Sequence, residues 1–239
     1  MLLKGKFQNG RSGERTRKLL VVVQYTASMI LLCGTLIVFA QLNYMRRQSL
    51  GVRTDRILVV KFPGPTEGMK IKMEAMRKAI RKLPLVSKVT CSGSVPGEEV
   101  AMFLSNRRTH DALKQNRLYE MLSCDPDYMD AYGLELVAGR GFSEDYGDDV
   151  NKLVINETAA RTLGYTDYES VIGEEISVET IEEPMQVIGV VKDYHQQALN
   201  RNYTPIMLFH KDKIDWIPQR YISIVMKPGD SLELVSQIS

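Results

Sequence analysis

The residue types best suited to chemistry in this chain are three histidines, three cysteines and some closely spaced acids. Asp193-Tyr194-His195 sets a carboxylate two residues from an imidazole. On a strand, residues two apart share a face, so these two side chains form a candidate acid–base dyad. A hydrolase also needs a nucleophile on a recognisable turn, and the sequence signals none. The cluster is therefore read as a solvent-exposed structural feature at a strand end. Asp125, Asp127 and Asp130 resemble part of a calcium loop, but the glycine and closing glutamate of an EF-hand are missing. A helix start explains them more simply, with Asp125 as N-cap and Pro126 in the first turn. His110, His195 and His210 are scattered and no C-x-x-C occurs, so no metal site of ordinary spacing is visible. No G-x-x-x-x-G-K-[ST] occurs either, which argues against ATP binding by a P-loop. The expectation is that the chain carries no catalytic residue, no cofactor and no metal. Cys91 and Cys124 each fall in a predicted strand. An oxidising compartment would permit them to pair, and two buried reduced thiols are the simpler alternative.

The longest element is apolar. Leu19 to Leu42 runs for 24 residues without a charge or a proline. As a helix it spans about 36 Å, enough for a hydrocarbon core of about 30 Å. A buried core helix rarely runs so long without charge, and a cleaved signal peptide has a shorter apolar region. A transmembrane helix is expected, with Cys33 as a small residue within it. On its helical surface Gln24, Ser28 and Thr35 share a face beside Ala27, the residue types that packed membrane helices use at their contacts. Six basic residues and one acid, Glu14, precede it, which favours a cytoplasmic N-terminus. Arg46, Arg47, Arg53 and Arg56 follow it closely and weaken that bias. Without residues 1–18 the chain has 25 basic and 28 acidic residues, a net of −3, so a nucleic-acid partner is not expected.

Beyond a polar membrane-exit segment, 43–56, the pattern predicts a mixed α+β domain over 57–239. Ile57–Val60 and Val86–Ser92 read as strands flanking a helix, a β-α-β unit. In that helix Met69, Met73, Met76, Ile80 and Leu83 form one stripe, while Lys70, Lys72, Arg77, Lys78, Arg81 and Lys82 are assigned to the other face. The methionines are read as core packing rather than as a metal or membrane-surface face. Leu118–Cys124, Leu134–Val137 and Leu153–Ile155 are further strands, with a short helix ending near Gly133. Asn156 caps a helix through Leu163 that Gly164 stops. Val171–Val178 and Met185–Val191 form a predicted hairpin, Ile206–Phe209 and Tyr221–Met226 two last strands. A helix opens near Leu232 and meets the chain end, so the sequence is expected to be a fragment of a longer protein.

These pieces resemble a known family in their order. The basic tail and apolar helix lead into Gln41-Leu42-Asn43-Tyr44-Met45 and Leu50-Gly51. Gly133-Leu134-Glu135-Leu136, Ala138-Gly139-Arg140 and Phe142 follow. Then come Val154-Ile155-Asn156-Glu157-Thr158-Ala159-Ala160, Leu163-Gly164-Tyr165 and Val171-Ile172-Gly173-Glu174. Val187 to His195, VIGVVKDYH, closes the series with Pro205 after it. The whole is similar to ABC transporter permeases of the MacB/FtsX type, most of all to the tandem permeases of Bacteroidota. That resemblance implies a periplasmic core domain of mixed α/β type, carried on the bacterial inner membrane with the N-terminus in the cytoplasm. It implies three kinds of partner: a separate cytoplasmic ABC ATPase, further permease helices or a second permease copy, and membrane lipid. The implied role is export or mechanical work on a periplasmic substrate such as an antibiotic, peptide, toxin or lipoprotein. It brings no catalytic residues with it. Two other readings compete: a single-pass extracytoplasmic sensor or ligand-binding domain, and an anchored hydrolase resting on Asp193 and His195.

Overall fold

The computed structural model describes residues 11–47, 50–63, 68–100, 102–109, 116–146, 149–197, 202–214 and 219–228. The chain divides into two compact units, 1–48 and 49–239. The first is a single helix, α1 (Arg11–Arg47), of 37 residues. The predicted apolar stretch lies wholly inside it, and one segment, Gly13–Met45, is long and apolar enough to cross a membrane. Its leucines, isoleucines and Phe39 are exposed. The Thr35 hydroxyl donates to the Leu31 carbonyl at 2.8 Å. That internal bond lets a polar side chain sit in an apolar helix without an unpaired donor.

The second unit runs β1 (Ile57–Lys61), α2 (Met69–Ile80), β2 (Val86–Ser92), β3 (Phe103–Arg108), β4 (Arg117–Cys124) and α3 (Tyr128–Tyr132). It continues through β5 (Leu136–Gly139), β6 (Lys152–Asn156), α4 (Glu157–Thr162), β7 (Glu175–Val178), β8 (Met185–Val191), β9 (Ile206–His210) and β10 (Tyr221–Met226). The strands form one sheet in the order β1-β10-β2-β4-β3-β7-β8-β6-β9. Strand β9 also pairs, in parallel, with β4. That pairing closes β4, β3, β7, β8, β6 and β9 into a six-stranded barrel, from which β2, β10 and β1 extend as a wing. β5 pairs antiparallel with Gly189–Val191 of β8, beyond the residues that pair with β7.

The wing explains the predicted β-α-β unit and corrects its detail. β1 and β2 both run antiparallel to β10, so they are parallel to each other with β10 between them. α2 covers one face of the three strands. Met73 and Ile80 are buried there among Val89, Ile222 and Ile224, with Met69, Met76 and Leu83 packed at the margin. The methionine stripe is therefore core. Arg77, assigned to the solvent face, is buried. It stands four residues after Met73 and three before Ile80, which puts it on their side of the helix.

The barrel interior is filled by Tyr119, Leu153, Ile155, Ile176, Met185 and Phe209, with their neighbours. Asn106 of β3 lies among them, its amide donating to the sulfurs of Met121 and Met207, both at 3.3 Å. β3 was not expected from the sequence: FLSNRR has two adjacent apolar residues and no alternation. A third cluster joins wing to barrel, where Tyr128, Ala131 and Tyr132 of α3 meet Leu122, Leu208 and Tyr194. α3 starts two residues later than expected, at Tyr128, and Gly133 stops it in the left-handed region as predicted. The Asn156 cap is present, accepting from the Ala159 amide at 2.9 Å. The β7–β8 hairpin forms, but its first strand begins at Glu175, after a 3-10 turn at Glu169–Val171. The helix expected near Leu232 lies outside the described residues.

Candidate functional site

Two buried carboxylates organise the folded unit, and neither stands where the sequence placed it. Strand β8 ends at Val191, and the next residues cross the start of α4. Asp193 there accepts from the Thr158 amide and the Thr158 hydroxyl, each at 2.8 Å, and from the Arg161 guanidinium. Its own amide donates to the Glu157 carboxylate at 3.0 Å. Asp193 is thus a second cap on α4, and its side chain is only 7% exposed. This corrects the expectation of a solvent-exposed cluster. Tyr194 points the other way, into the core. His195 stacks on Tyr203 with ring centroids 4.5 Å apart, and its amide donates to the Leu50 carbonyl at 2.9 Å. Since the oxygens of Asp193 are committed to α4, they do not orient the imidazole, and the candidate dyad is not assembled.

Asp125, expected as an N-cap, is fully buried beneath α2. It accepts from Arg77 Nη1 at 2.9 Å, from the Cys91 amide at 2.8 Å, and from the Thr90 hydroxyl. Burial pushes its carboxyl up from the usual range, while Thr90, Cys91 and Arg77 pull it back. Asp127 lies 3.7 Å from Arg81, and Asp130 pairs with Lys88. Asp127 also lies 3.9 Å from Arg77, so the three acids of the calcium-like run turn to Arg77, Arg81 and Lys88 and not to one point. Part of this was legible: Arg77 stands between Met73 and Ile80 at core spacing.

The cysteines are kept apart by register. Ser92 pairs across from Cys124, and the Asp125 amide donates to the Cys91 carbonyl, which sets Cys91 opposite Asp125. Opposite residues share a face of the sheet, so Cys91 and Cys124 project from opposite faces. Cys91 belongs to the α2 cluster and Cys124 to the α3 cluster. Both are free thiols. Burial, then the Asp125 charge, pushes Cys91 up to about 12, and burial holds Cys124 well above its usual value. Thiols so placed are poor nucleophiles.

A cleft of about 310 Å³ opens where α2, the β5–β6 connection and the end of β9 meet. Glu74, Arg77, Ser143, Asp149, His210 and Asp212 are among its lining residues. Their charges are largely spent on one another. Asp149 takes a two-pronged bond from Arg140, 2.8 Å on each oxygen, and a third from the Ser143 amide. That guanidinium and amide hold its carboxyl below the usual range. Asp212 pairs with Lys70 and Lys211, each at 3.1 Å. Of these pairs, Lys70–Asp212 runs from α2 of the wing to the residues after β9 of the barrel. His110, the remaining histidine, lies outside the described residues.

A helix with a 24-residue charge-free stretch precedes, along the chain, a split β-α-β wing on a closed barrel whose buried polar groups bind element to element. The sequence model of the MacB-like periplasmic core domain matches residues 26–238. The chain belongs to that family. The periplasmic region of MacB from Actinobacillus actinomycetemcomitans is similar in structure, with a TM-score of 0.53 at 16% identity over 79% of this chain and 82% of that one. A domain of a putative permease from Porphyromonas gingivalis gives 0.51 at 22% identity, over 77% and 80%. The extracellular domain of the noncanonic ABC-type transporter YknZ from Gram-positive bacteria gives 0.50 at 17% identity, over 73% and 85%. No curated protein sequence gave a significant match. This MacB-like chain is therefore a periplasmic-type domain of the ABC transporter permease family with one apolar N-terminal helix. The family is a permease domain, which accords with a site made of structural ion pairs.

Proposed function

We propose that this chain is the membrane-attached periplasmic part of an ABC transporter permease subunit, which couples a separate cytoplasmic ATPase to export or mechanical work on a periplasmic substrate. Residues 1–18 form the cytoplasmic tail, 19–42 the helix in the inner membrane, 43–56 the exit segment and 57–239 the periplasmic domain. The reading rests on one observation above the others: the family match begins inside the apolar helix and runs through the folded unit. The interlocked polar groups support it. A domain that passes on motion needs its elements tied together, and here Asp193 ties β8 to α4 while Asp125 ties α2 to β2 and the start of α3. The chain itself is read as non-enzymatic. Further permease helices or a second permease copy would pack on the Gln24, Ser28 and Thr35 face of α1.

Two measurements test this. Alkaline phosphatase fused after Lys227 should be active, and the same enzyme fused ahead of Leu19 should be silent. The opposite result would reverse the orientation. An ABC ATPase encoded beside this reading frame should co-purify with the chain in detergent, and failure to do so under native expression would remove the coupling role.

A further inference from the structure

At one end of the wing three separate parts of the chain meet. Ile57 at the start of β1 pairs with Val225 of β10, and Val225 with Lys88 of β2. The Met226 amide donates to the Arg56 carbonyl and the Lys227 amide to the Leu85 carbonyl, both at 2.9 Å. The segment leading from the apolar helix, the turn after α2 and the residue after β10 therefore share this end. Each brings a basic residue: Arg53 and Arg56, then Lys82 and Lys88, then Lys227. All are exposed except Lys88, which is half-buried. Asp55 and Asp130 pair with Arg56 and Lys88. Among the described residues, Arg53, Lys82 and Lys227 have no carboxylate in ion-pair range.

The sequence segment that supplies most of these residues is basic as a whole, unlike the rest of the chain. Residues 46–88 hold 12 basic and 3 acidic residues, and residues 89–239 hold 13 and 25. Solubility is served by interspersed charge, whereas a one-signed end favours an oppositely charged partner. Arg46, Arg47, Arg53 and Arg56 also run against the positive-inside rule, which concentrates such residues on the cytoplasmic flank of a membrane helix. Nine residues separate Arg47 from Ile57 along the chain.

We propose that the basic end binds the anionic phospholipid headgroups of the leaflet it faces. Near an anionic membrane each lysine or arginine adds about fivefold in affinity, and the attraction fades over a Debye length of about 8 Å at physiological salt. The proposal rests on the membrane placement of α1. Its test omits α1, so a failure here leaves that placement standing. Residues 49–239 form a compact unit with its own core clusters. That unit is sedimented with phosphatidylcholine vesicles, with and without phosphatidylglycerol. Binding is expected only with phosphatidylglycerol, and raised salt should reverse it. Lys82→Glu with Lys227→Glu should weaken it by at least about 25-fold, fivefold for each lysine lost. Arg107→Glu with Lys152→Glu, an equal change of net charge on the barrel, should leave it nearly unchanged. Matched thermal melts establish that both pairs fold, and the salt dependence tests the proposal without any variant. Equal binding to pure phosphatidylcholine, or equal loss in both pairs, overturns the proposal. So does no binding to either vesicle, which would turn the patch over to an acidic protein.

Discussion

Replacing Arg77 with methionine takes the cation from a carboxylate that has no water to turn to. Asp125 is fully buried, and Arg77 meets it at 2.9 Å. Methionine keeps the length and helix propensity of arginine, so the packing against Met73 and Ile80 is nearly retained. Breaking a buried pair costs roughly 3–5 kcal/mol. Here the Thr90 hydroxyl and Cys91 amide remain as donors, which puts the expected loss near the lower end, about 3 kcal/mol. The loss should depend on pH. Without Arg77 the folded-state pKa of Asp125 rises further above its unfolded value of about 3.9. Between those two values the folded state holds a proton that the unfolded state releases, so the variant regains stability as pH falls through its folded pKa toward the unfolded one. Its deficit against the parent should be largest near pH 8 and smaller near pH 5. Urea unfolding of residues 49–239, followed by far-UV circular dichroism, measures this for Arg77→Met, Asp125→Asn and the double variant. The double variant should lose less than the two singles together, by about 1 kcal/mol or more. A deficit below about 1 kcal/mol, or one equal at both pH values, would refute the reasoning and leave Arg77 as packing only.

Backbone contact predicts a second effect. A Cβ on Gly189 would lie 2.1 Å from the Arg140 carbonyl oxygen, so Gly189→Ala should cost more than about 4 kcal/mol or prevent folding. Gly164 has a positive φ but its Cβ would face open space, and Gly164→Ala should cost only about 1 kcal/mol in the same unfolding assay. The thiols of Cys91 and Cys124 should resist a thiol reagent in the native unit and both react once it is denatured. Mass spectrometry without reductant should show neither in a disulfide, and a bond between them would contradict the β2–β4 register. Asp149→Asn should cost roughly 1 kcal/mol at neutral pH, since Arg140 is partly exposed. Because the folded pKa of Asp149 is depressed, its contribution is present above about pH 4 and lost as pH falls through the folded value. The variant and parent should converge in acid melts, and a difference that persists near pH 2 would count against the ion pair.

The elements legible in the sequence were those written in local periodicity. Val86–Ser92, read as the strand after the helix-ending Pro84, and Tyr221–Met226, read from its alternation, form with the expected bounds. The Asn156 cap and Gly133 stop could be read because each depends on one side chain and its own backbone. β3 could not be read. Its polar residues Asn106, Arg107 and Arg108 form a strand because β4 and β7 supply ladders on its two sides, not because FLSNRR prefers one. The chemistry misled for a related reason. Asp193 and His195 share a face in an idealised strand, but β8 has ended by then, and α4 offers the aspartate an amide, a hydroxyl and a guanidinium.

By itself the sequence determined that the chain has a helix of membrane length, a mixed α+β domain behind it and the motif order of a permease. Length, charge and spacing are properties of neighbours along the chain, and burial of apolar surface follows from them. Only the tertiary structure decided that β10 enters between β1 and β2, and that β9 closes a barrel on β4. It also decided that Arg77 and Asp125, 48 residues apart, share one buried bond, and that two cysteines on paired strands face away from each other. Those outcomes depend on strand register between distant segments. A shift of one residue turns every side chain to the other face, and nothing local in the sequence states which register will hold.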